Sequence, residues 1–488
     1  MTLEDSGTLP PPLVVADARA RVRRARDAEG RRTVVLDDDP TGSQSVHGVD
    51  VVTVLDPEQY QAALAEPGAT CFVLTNTRSL AEDDAVRLTS QVTADVLALT
   101  ERWGAPVDLV SRSDSTLRGH VLAEVGAVVE AHRRLTGADV DGVLLVPAFL
   151  EAGRFTVGDV HYATVEGVPV PVASTEFARD ASFAYASSDL REFVAERSGG
   201  RLRAEDVFSL TLEDIRLGGP DRVAEVLGAV TGGAFVVVNA TDYTDLEVVV
   251  LGLLEARRAG RSFVYRTGPS FVRALAGIEP HPPLTTDDIW PQGRPGGHGL
   301  LVVSSHVGLT SAQVTAVQGR ANLVRVELSV PALIDPTRRD AHVAEAAVRV
   351  VEALAGSDVM LLTSRDLVRG DDPEASLAIA RTVSAGVTRV VREALTARPT
   401  WVVAKGGITS HDVAVEGLGI RRATVLGQLL TGMVSVLLPV EATPGAVGVP
   451  YVVFAGNVGD TQTLARVVDV IAGNQDDTDP DDDQEARG

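Results

Sequence analysis

Four stretches concentrate side chains able to handle small polar anions. The first, Asp37-Asp38-Asp39-Pro40-Thr41-Gly42-Ser43, follows the apolar run Val34–Leu36. Three adjacent carboxylates repel one another unless a metal, a cation or polar partners compensate them, which makes them candidates for proton abstraction or ligand contact. The second, Ser111-Arg112-Ser113-Asp114-Ser115-Thr116-Leu117-Arg118-Gly119-His120, mixes hydroxyls, guanidiniums and one carboxylate. Such a mixture suits a polyhydroxylated anion, with Arg gripping a carboxylate in two-pronged fashion. Leu74-Thr75-Asn76-Thr77-Arg78-Ser79 has the same character. The fourth, Lys405-Gly406-Gly407-Ile408-Thr409-Ser410, holds the chain's one lysine and a glycine pair that lets backbone approach phosphates. Its Lys precedes the glycines, so it is not a Walker A loop. Val303-Ser304-Ser305-His306 and Phe454-Ala455-Gly456-Asn457 repeat the theme of an apolar run followed by small residues. Each stretch could equally be a helix cap or tight turn.

These loops need a scaffold that brings them together. Short apolar runs alternate with longer amphipathic stretches, the pattern of strands crossing over through helices into a mainly parallel sheet, whose carboxyl ends carry ligands. Strands are expected at Thr33–Asp37, Val49–Leu55, Cys71–Thr75, Val107–Ser111, Gly142–Pro147, Phe235–Asn239 and Ser262–Tyr265. Helices are expected at Leu80–Thr100, Gly119–Leu135 and Leu246–Ala259, and Val157–Tyr162 reads as a turn. Glu279–Gly299 contains five prolines and Gly296-Gly297, so it continues neither helix nor central strand and is expected to link two domains. The alternation then restarts: strands at Leu300–Ser304, Leu323–Leu328, Val359–Thr363 and Trp401–Lys405, helices at Leu309–Gly319, His342–Ala355 and Ala375–Leu395. The expected organisation is an N-terminal extension and helix (1–30), a first α/β domain (31–278), a linker (279–298), a second α/β domain (299–473) and a disordered acidic tail (474–488). Each domain would carry a mainly parallel sheet flanked by helices, with the active site in the interdomain cleft.

Composition narrows the function. The 488 residues are 45% hydrophobic and 23% charged, which excludes wholesale disorder. A net charge of −23 argues against nucleic acid or an anionic membrane as partner. The single cysteine, Cys71, excludes an intrachain disulfide and multi-cysteine metal sites. The nine histidines show no HExxH or clustered ligand spacing, leaving any metal ligand unassigned; His47, His120 and His161 lie beside the first-domain loops. No apolar segment reaches the roughly 18 residues of a membrane span, and Met1–Pro12 lacks signal-peptide character, so a cytoplasmic protein is expected.

The ordered motifs Asp38-Asp39-Pro40-Thr41-Gly42, Thr75-Asn76-Thr77-Arg78, Asp114-Ser115-Thr116-Leu117-Arg118-Gly119, Pro147-Ala148-Phe149, Thr175-Glu176-Phe177-Ala178-Arg179-Asp180, Gly406-Gly407-Ile408-Thr409-Ser410 and Gly456-Asn457-Val458-Gly459 resemble the four-carbon acid sugar kinase family from about Thr33 to Ala472. The resemblance implies ATP-dependent phosphorylation of the terminal hydroxyl of erythronate, threonate or a 3-oxo-tetronate, with Mg²⁺ as companion ion. It further implies that Asp38, Arg78, Arg112, Ser113, Asp114, Ser115 and Arg118 contact the sugar acid, and that Asp38, Asp39 or Asp114 accepts the hydroxyl proton. Ser304, Gly406, Gly407, Ile408, Thr409, Gly456 and Asn457 would contact ATP. Many members carry an acid where Ile408 stands, and Lys405 is then expected to supply a phosphate counter-charge. The expected partner is a small-molecule sugar acid, with a homodimer allowed.

Two other readings start from the same residues. Asp37-x-Asp39-x-Thr41 after an apolar strand also resembles the nucleophile motif of haloacid-dehalogenase-type phosphatases, but the only lysine lies beyond the linker. A non-enzymatic sugar-acid sensor would bind the acid and no nucleotide.

Overall fold

In the computed structural model, residues 9–39, 42–305, 308–319, 322–365, 368, 371–456 and 458–474 are described. Pro40, Thr41, His306, Asn457 and the acidic tail beyond 474 lie outside the described residues. The chain divides into two units, Met1–Pro280 and His281–Gly488.

Among its described residues, the first unit is built on eight parallel strands. In chain order they are β1 (Arg32–Asp37), β2 (Asp50–Val52), β3 (Thr70–Leu74), β4 (Val107–Arg112), β5 (Gly142–Val146), β9 (Phe208–Leu210), β10 (Ala234–Val238) and β11 (Phe263–Thr267), with β6 (Arg154–Val157), β7 (Val160–Val165) and β8 (Val168–Pro171) in a separate sheet. The spatial order is β2-β3-β1-β4-β11-β5-β10-β9. Strands covered on both faces read as continuous apolar runs, and Val34, Val35 and Leu36 of β1 are all buried. Helix Glu82–Trp103 opens on Glu82, Asp83 and Asp84, acids that suit the positive end of the helix dipole, and closes on left-handed Gly104. Helix Tyr243–Arg258 opens on a capping box between Asp242 and Asp245. The N-terminal helix Ala18–Glu29 is tied to this unit by Arg26, which donates to Ala276 O at 2.9 Å and to Thr33 Oγ1 at 3.0 Å.

The antiparallel sheet β6-β7-β8 differs from the sequence reading. Only Gly158-Asp159 of the expected turn Val157–Tyr162 is a turn; both have positive φ (56° and 64°), the two-residue geometry whose twist matches a hairpin, and the flanking residues are strand. Glu166-Gly167 repeats that turn between β7 and β8.

The second unit has seven strands among its described residues: β12 (Leu300–Val303), β13 (Leu323–Leu328), β14 (Asp358–Thr363), β15 (Val402–Lys405), β16 (Arg422–Leu430), β17 (Val434–Glu441) and β18 (Tyr451–Phe454), in the order β13-β14-β12-β15-β18-β17-β16. β13, β14, β12, β15 and β18 pair in parallel; β17 runs antiparallel to both β18 and β16. Each unit is therefore an α/β domain with a mostly parallel sheet flanked by helices. Much of the segment read as a linker packs into the second unit. Leu284 and Ile289 belong to its core, a capping box at Thr285 opens the turn Thr286–Ile289, and Trp290 Nε1 donates to Ile471 O at 3.1 Å. No helix among the described residues is long and apolar enough to cross a membrane.

Gly299 immediately precedes β12, where a Cβ would overlap the fully buried indole of Trp401. Gly299→Ala should therefore destabilise the second unit by about 1–3 kcal/mol through overpacking. Urea unfolding followed by tryptophan fluorescence would show this as a lowered midpoint at unchanged slope.

Candidate active site

Parallel pairing brings the first three loops to one edge. The register sets Asp37 at the end of β1 beside Arg112 at the end of β4, and Arg112 Nη1 donates to Asp37 Oδ1 at 2.9 Å. Asp37 is fully enclosed, and burial pushes its carboxyl up to about 7, with Arg112 opposing and Asp38 and Asp39 adding to the rise. A Cβ at Gly42 would overlap that carboxylate, so only glycine lets the acidic loop fold back this closely. A covalent nucleophile must meet its substrate, and Asp37 is enclosed; this geometry disfavours the phosphatase reading.

Asp38 is gripped by Arg78, with Nη2 at 2.8 Å from Oδ1 and Nε at 3.3 Å from Oδ2. Burial raises the Asp38 pKa and Arg78 works against that rise. Arg78 also reaches Asp39 at 3.1 Å. Asp114 accepts from Arg118 Nε at 2.6 Å and from Thr116 Oγ1. Burial alone would raise Asp114, but the Arg78 and Arg118 guanidiniums and these hydrogen bonds outweigh it and hold it at about 2. Of the three candidate bases Asp39 is the most exposed, at 27% against 12% for Asp114 and 2% for Asp38.

The loop carrying Asp114 is held from below. Leu117 sits at φ 68° and Gly119 at φ 111°, where a Cβ would come within 3.0 Å of Asp38 Oδ2. Tyr185 Oη donates to Thr116 O at 2.8 Å. His161 Nε2 donates to Ser115 O at 2.8 Å, and its Nδ1 accepts from Thr156 Oγ1 at 3.0 Å; burial lowers its pKa to about 4, consistent with a neutral ring. His120 and His47 bond the carbonyls of Leu80 and Glu279. All three imidazoles thus bond backbone carbonyls. Ser113 and Ser115 are buried within the same loop.

Sequence reasoning missed a second layer. Arg266 of β11, 1% exposed, donates to Glu124 Oε2 at 2.6 Å and Ser111 Oγ at 2.6 Å, while Thr77 Oγ1 also donates to Glu124. An arginine inside a wholly buried strand was the available signal. Arg154 reaches the same neighbourhood from β6, through the rings of Phe149 and Phe177.

In the second unit, β12, β15 and β18 lie side by side, and the residues after each converge on a cavity of about 650 Å³. Ser304, Gly406, Gly407, Ile408, Thr409 and Gly456 all line it. Ser304 and Thr409 share a hydroxyl hydrogen bond, and Gly406, at φ 120°, leaves no room for a Cβ beside Thr409 and Ser305. Thr310 Oγ1 donates to Gly456 O at 3.0 Å, fixing the third loop. Val330, Ile379, Val383, Val387 and Val413 form an apolar wall. Ile408 is 78% exposed at the rim. Lys405 does not line the cavity. Its side chain is wholly buried, with Nζ donating to Ala455 O at 2.7 Å and lying 3.8 Å over the Phe454 ring.

Burial lowers the Lys405 pKa from 10.5 to about 7. The unfolded chain then binds more protons than the folded one between those values, so stability should rise with pH across that window. Lys405→Met should flatten the rise in chemical-denaturation series between pH 7 and 10; an undiminished slope would mean that Lys405 stays charged against its carbonyl.

Residues 33–275 match the family of sugar-binding N-terminal domains, and residues 300–464 match the nucleotide-binding C-terminal domains. Among curated proteins, the chain is 28% identical over 336 residues to a D-erythronate kinase of Heliobacterium modesticaldum, covering 67% of this chain and 69% of that one. It is 30% identical over 229 residues to a D-threonate kinase of Salmonella typhimurium, covering 46% and 49%. A solved Haemophilus influenzae protein shares the fold at 15% identity and TM-score 0.62, covering 90% of this chain and all of that one. The chain thus belongs to the two-domain family that joins a sugar-binding N-terminal domain to a nucleotide-binding C-terminal domain, related at low identity to the four-carbon acid sugar kinases.

Proposed function

We propose that the protein transfers the γ-phosphoryl of ATP to the terminal hydroxyl of a four-carbon sugar acid: erythronate, threonate or a 3-oxo-tetronate. The observation that carries this reading is the second-unit cavity, whose glycine and hydroxyl mouth faces a wall of valine and isoleucine. Gly406 and Gly407 expose backbone where phosphates can approach, Ser304 and Thr409 offer hydroxyls, and the apolar wall suits a nucleobase. The first-unit cluster of Arg78, Arg112, Arg118 and their hydroxyl neighbours suits a hydroxylated carboxylate.

Phosphoryl transfer depends chiefly on positioning and charge stabilisation. Asp39 is the proton acceptor in this reading because it is the most exposed of the three candidate bases and stands beside the Arg78 cation. Asp114, held at about 2, is too weak a base and instead fixes Arg118. No group of three or more His, Cys, Asp or Glu able to hold a metal occurs among the described residues. A Mg²⁺ ion accompanying the nucleotide would have Asp412 of the cavity wall as a carboxylate ligand. Such an ion would neutralise charge developing on the phosphate oxygens.

ADP release from Mg·ATP, followed with a panel of erythronate, threonate and 3-oxo-tetronate stereoisomers, should depend on one of the acids. Acid binding without any ADP release would instead favour a sensor, and phosphate-ester hydrolysis without ATP would favour a phosphatase. Asp39→Asn should lower kcat by about 10²–10⁴-fold with a smaller change in the sugar-acid KM, measured by coupled ADP assay.

A further inference from the structure

Arg154 opens β6, and its backbone clasps Phe149: Arg154 N donates to Phe149 O at 2.9 Å and Phe149 N donates to Arg154 O at 3.0 Å. The clasp delivers the guanidinium to the loops at the carboxyl ends of β4 and β5. Its Cζ stands 5.8 Å from the centre of the Phe149 ring and 5.9 Å from that of Phe177, while Arg118 Cζ lies 5.1 Å from the same Phe177 ring. Two guanidiniums therefore share one aromatic ring.

Their circumstances differ. Arg118 bonds Asp114 at 2.6 Å and reaches Asp180 at 3.7 Å. Arg78, Arg112 and Arg266 are likewise matched to Asp38, Asp37 and Glu124. Arg154 has no ion pair among the described residues; its Nε is buried without a hydrogen-bond partner, as are Arg112 Nε and Arg266 Nε, so the missing ion pair is what sets it apart. Burial lowers its proton affinity, Asp114 attracts it, and the neighbouring Arg118 cation repels it. A partly desolvated guanidinium without a counter-charge is unfavourable, and an incoming anion would relieve the cost. The two rings flank the guanidinium and limit the side-chain freedom still to be lost when a carboxylate meets it.

We propose that Arg154 receives the carboxylate of the sugar acid, and so sets the enzyme's preference for an acid over the corresponding neutral polyol. The assignment rests on the sugar-acid reading of the first unit. Arg118 and Asp114 then face the hydroxylated part of the substrate.

The test uses the full chain and calorimetric binding without nucleotide, with erythronate, threonate, their neutral amides and the matching tetritols as probes. Wild type should bind one acid in clear preference to its amide and tetritol. Arg154→Gln should weaken binding of that acid by about 10–100-fold, the range for a charge-assisted hydrogen bond, with the tetritol and the ATP KM unchanged. Arg154→Lys should restore part of the loss, since charge returns without the fork. A variant that retains the full preference, or loses acid and ATP binding equally, would overturn the assignment. Should Arg154→Gln fail to fold, equal wild-type affinity for acid and amide would overturn it on its own. Failure of wild type to bind any four-carbon acid would instead bring down the sugar-acid reading, and this assignment with it.

Discussion

Carboxylates and guanidiniums buried where parallel strands end organise the first unit. Asp37 with Arg112 and Glu124 with Arg266 are each almost wholly out of water, at 2.9 and 2.6 Å. Removing one partner of such a pair strands the other charge, at a cost of about 3–5 kcal/mol. The interlocking pairs therefore constrain the loops above them. Arg266 ties β11 to Ser111 of β4 and to helix Val121–Thr136 through Glu124, which in turn holds Thr77 of the neighbouring loop. Three loops that diverge in sequence are thus braced by one charged layer.

The second unit reaches a comparable end by other means. Its mouth is made of backbone and small side chains, so close approach rather than charge is its resource. Gly406 adopts a conformation open chiefly to glycine and leaves space that a Cβ would occupy. The lone lysine lies beneath this mouth and not within it, supporting the Ala455 carbonyl next to Gly456. The two units divide the proposed chemistry, one built to hold a fixed negative group and the other to let phosphates come close.

The central strands were readable because a strand buried on both faces reads as a largely apolar run, as β5 and β10 do throughout and β1 does at Val34–Leu36. The hairpins were harder. β6, β7 and β8 are only four to six residues each, with mixed residues, and their pairing depends on Gly158-Asp159 and Glu166-Gly167 adopting positive φ. β16 has an alternating burial pattern, but it follows a domain whose earlier rhythm is strand and helix. The proline-rich segment read as a linker because proline disfavours both helix and central strand, yet Leu284 and Ile289 anchor it on the second core.

Residue types and order alone determined the two α/β domains and where charged and hydroxyl side chains cluster along the chain. These properties follow from hydrophobic period and from local clustering of charge, both of which are written along the chain. Only the tertiary structure decided which arginine meets which acid, that Asp37 is enclosed while Asp39 is partly exposed, that Lys405 bonds the Ala455 carbonyl and does not line the cavity, and that Arg154 lies without a carboxylate partner among the described residues. Those outcomes depend on strand register and on contacts between residues far apart in sequence, as with Arg266 and Glu124, 142 positions apart. A one-residue change of register would turn each side chain to the opposite face, so the same motifs could not by themselves specify the pairing.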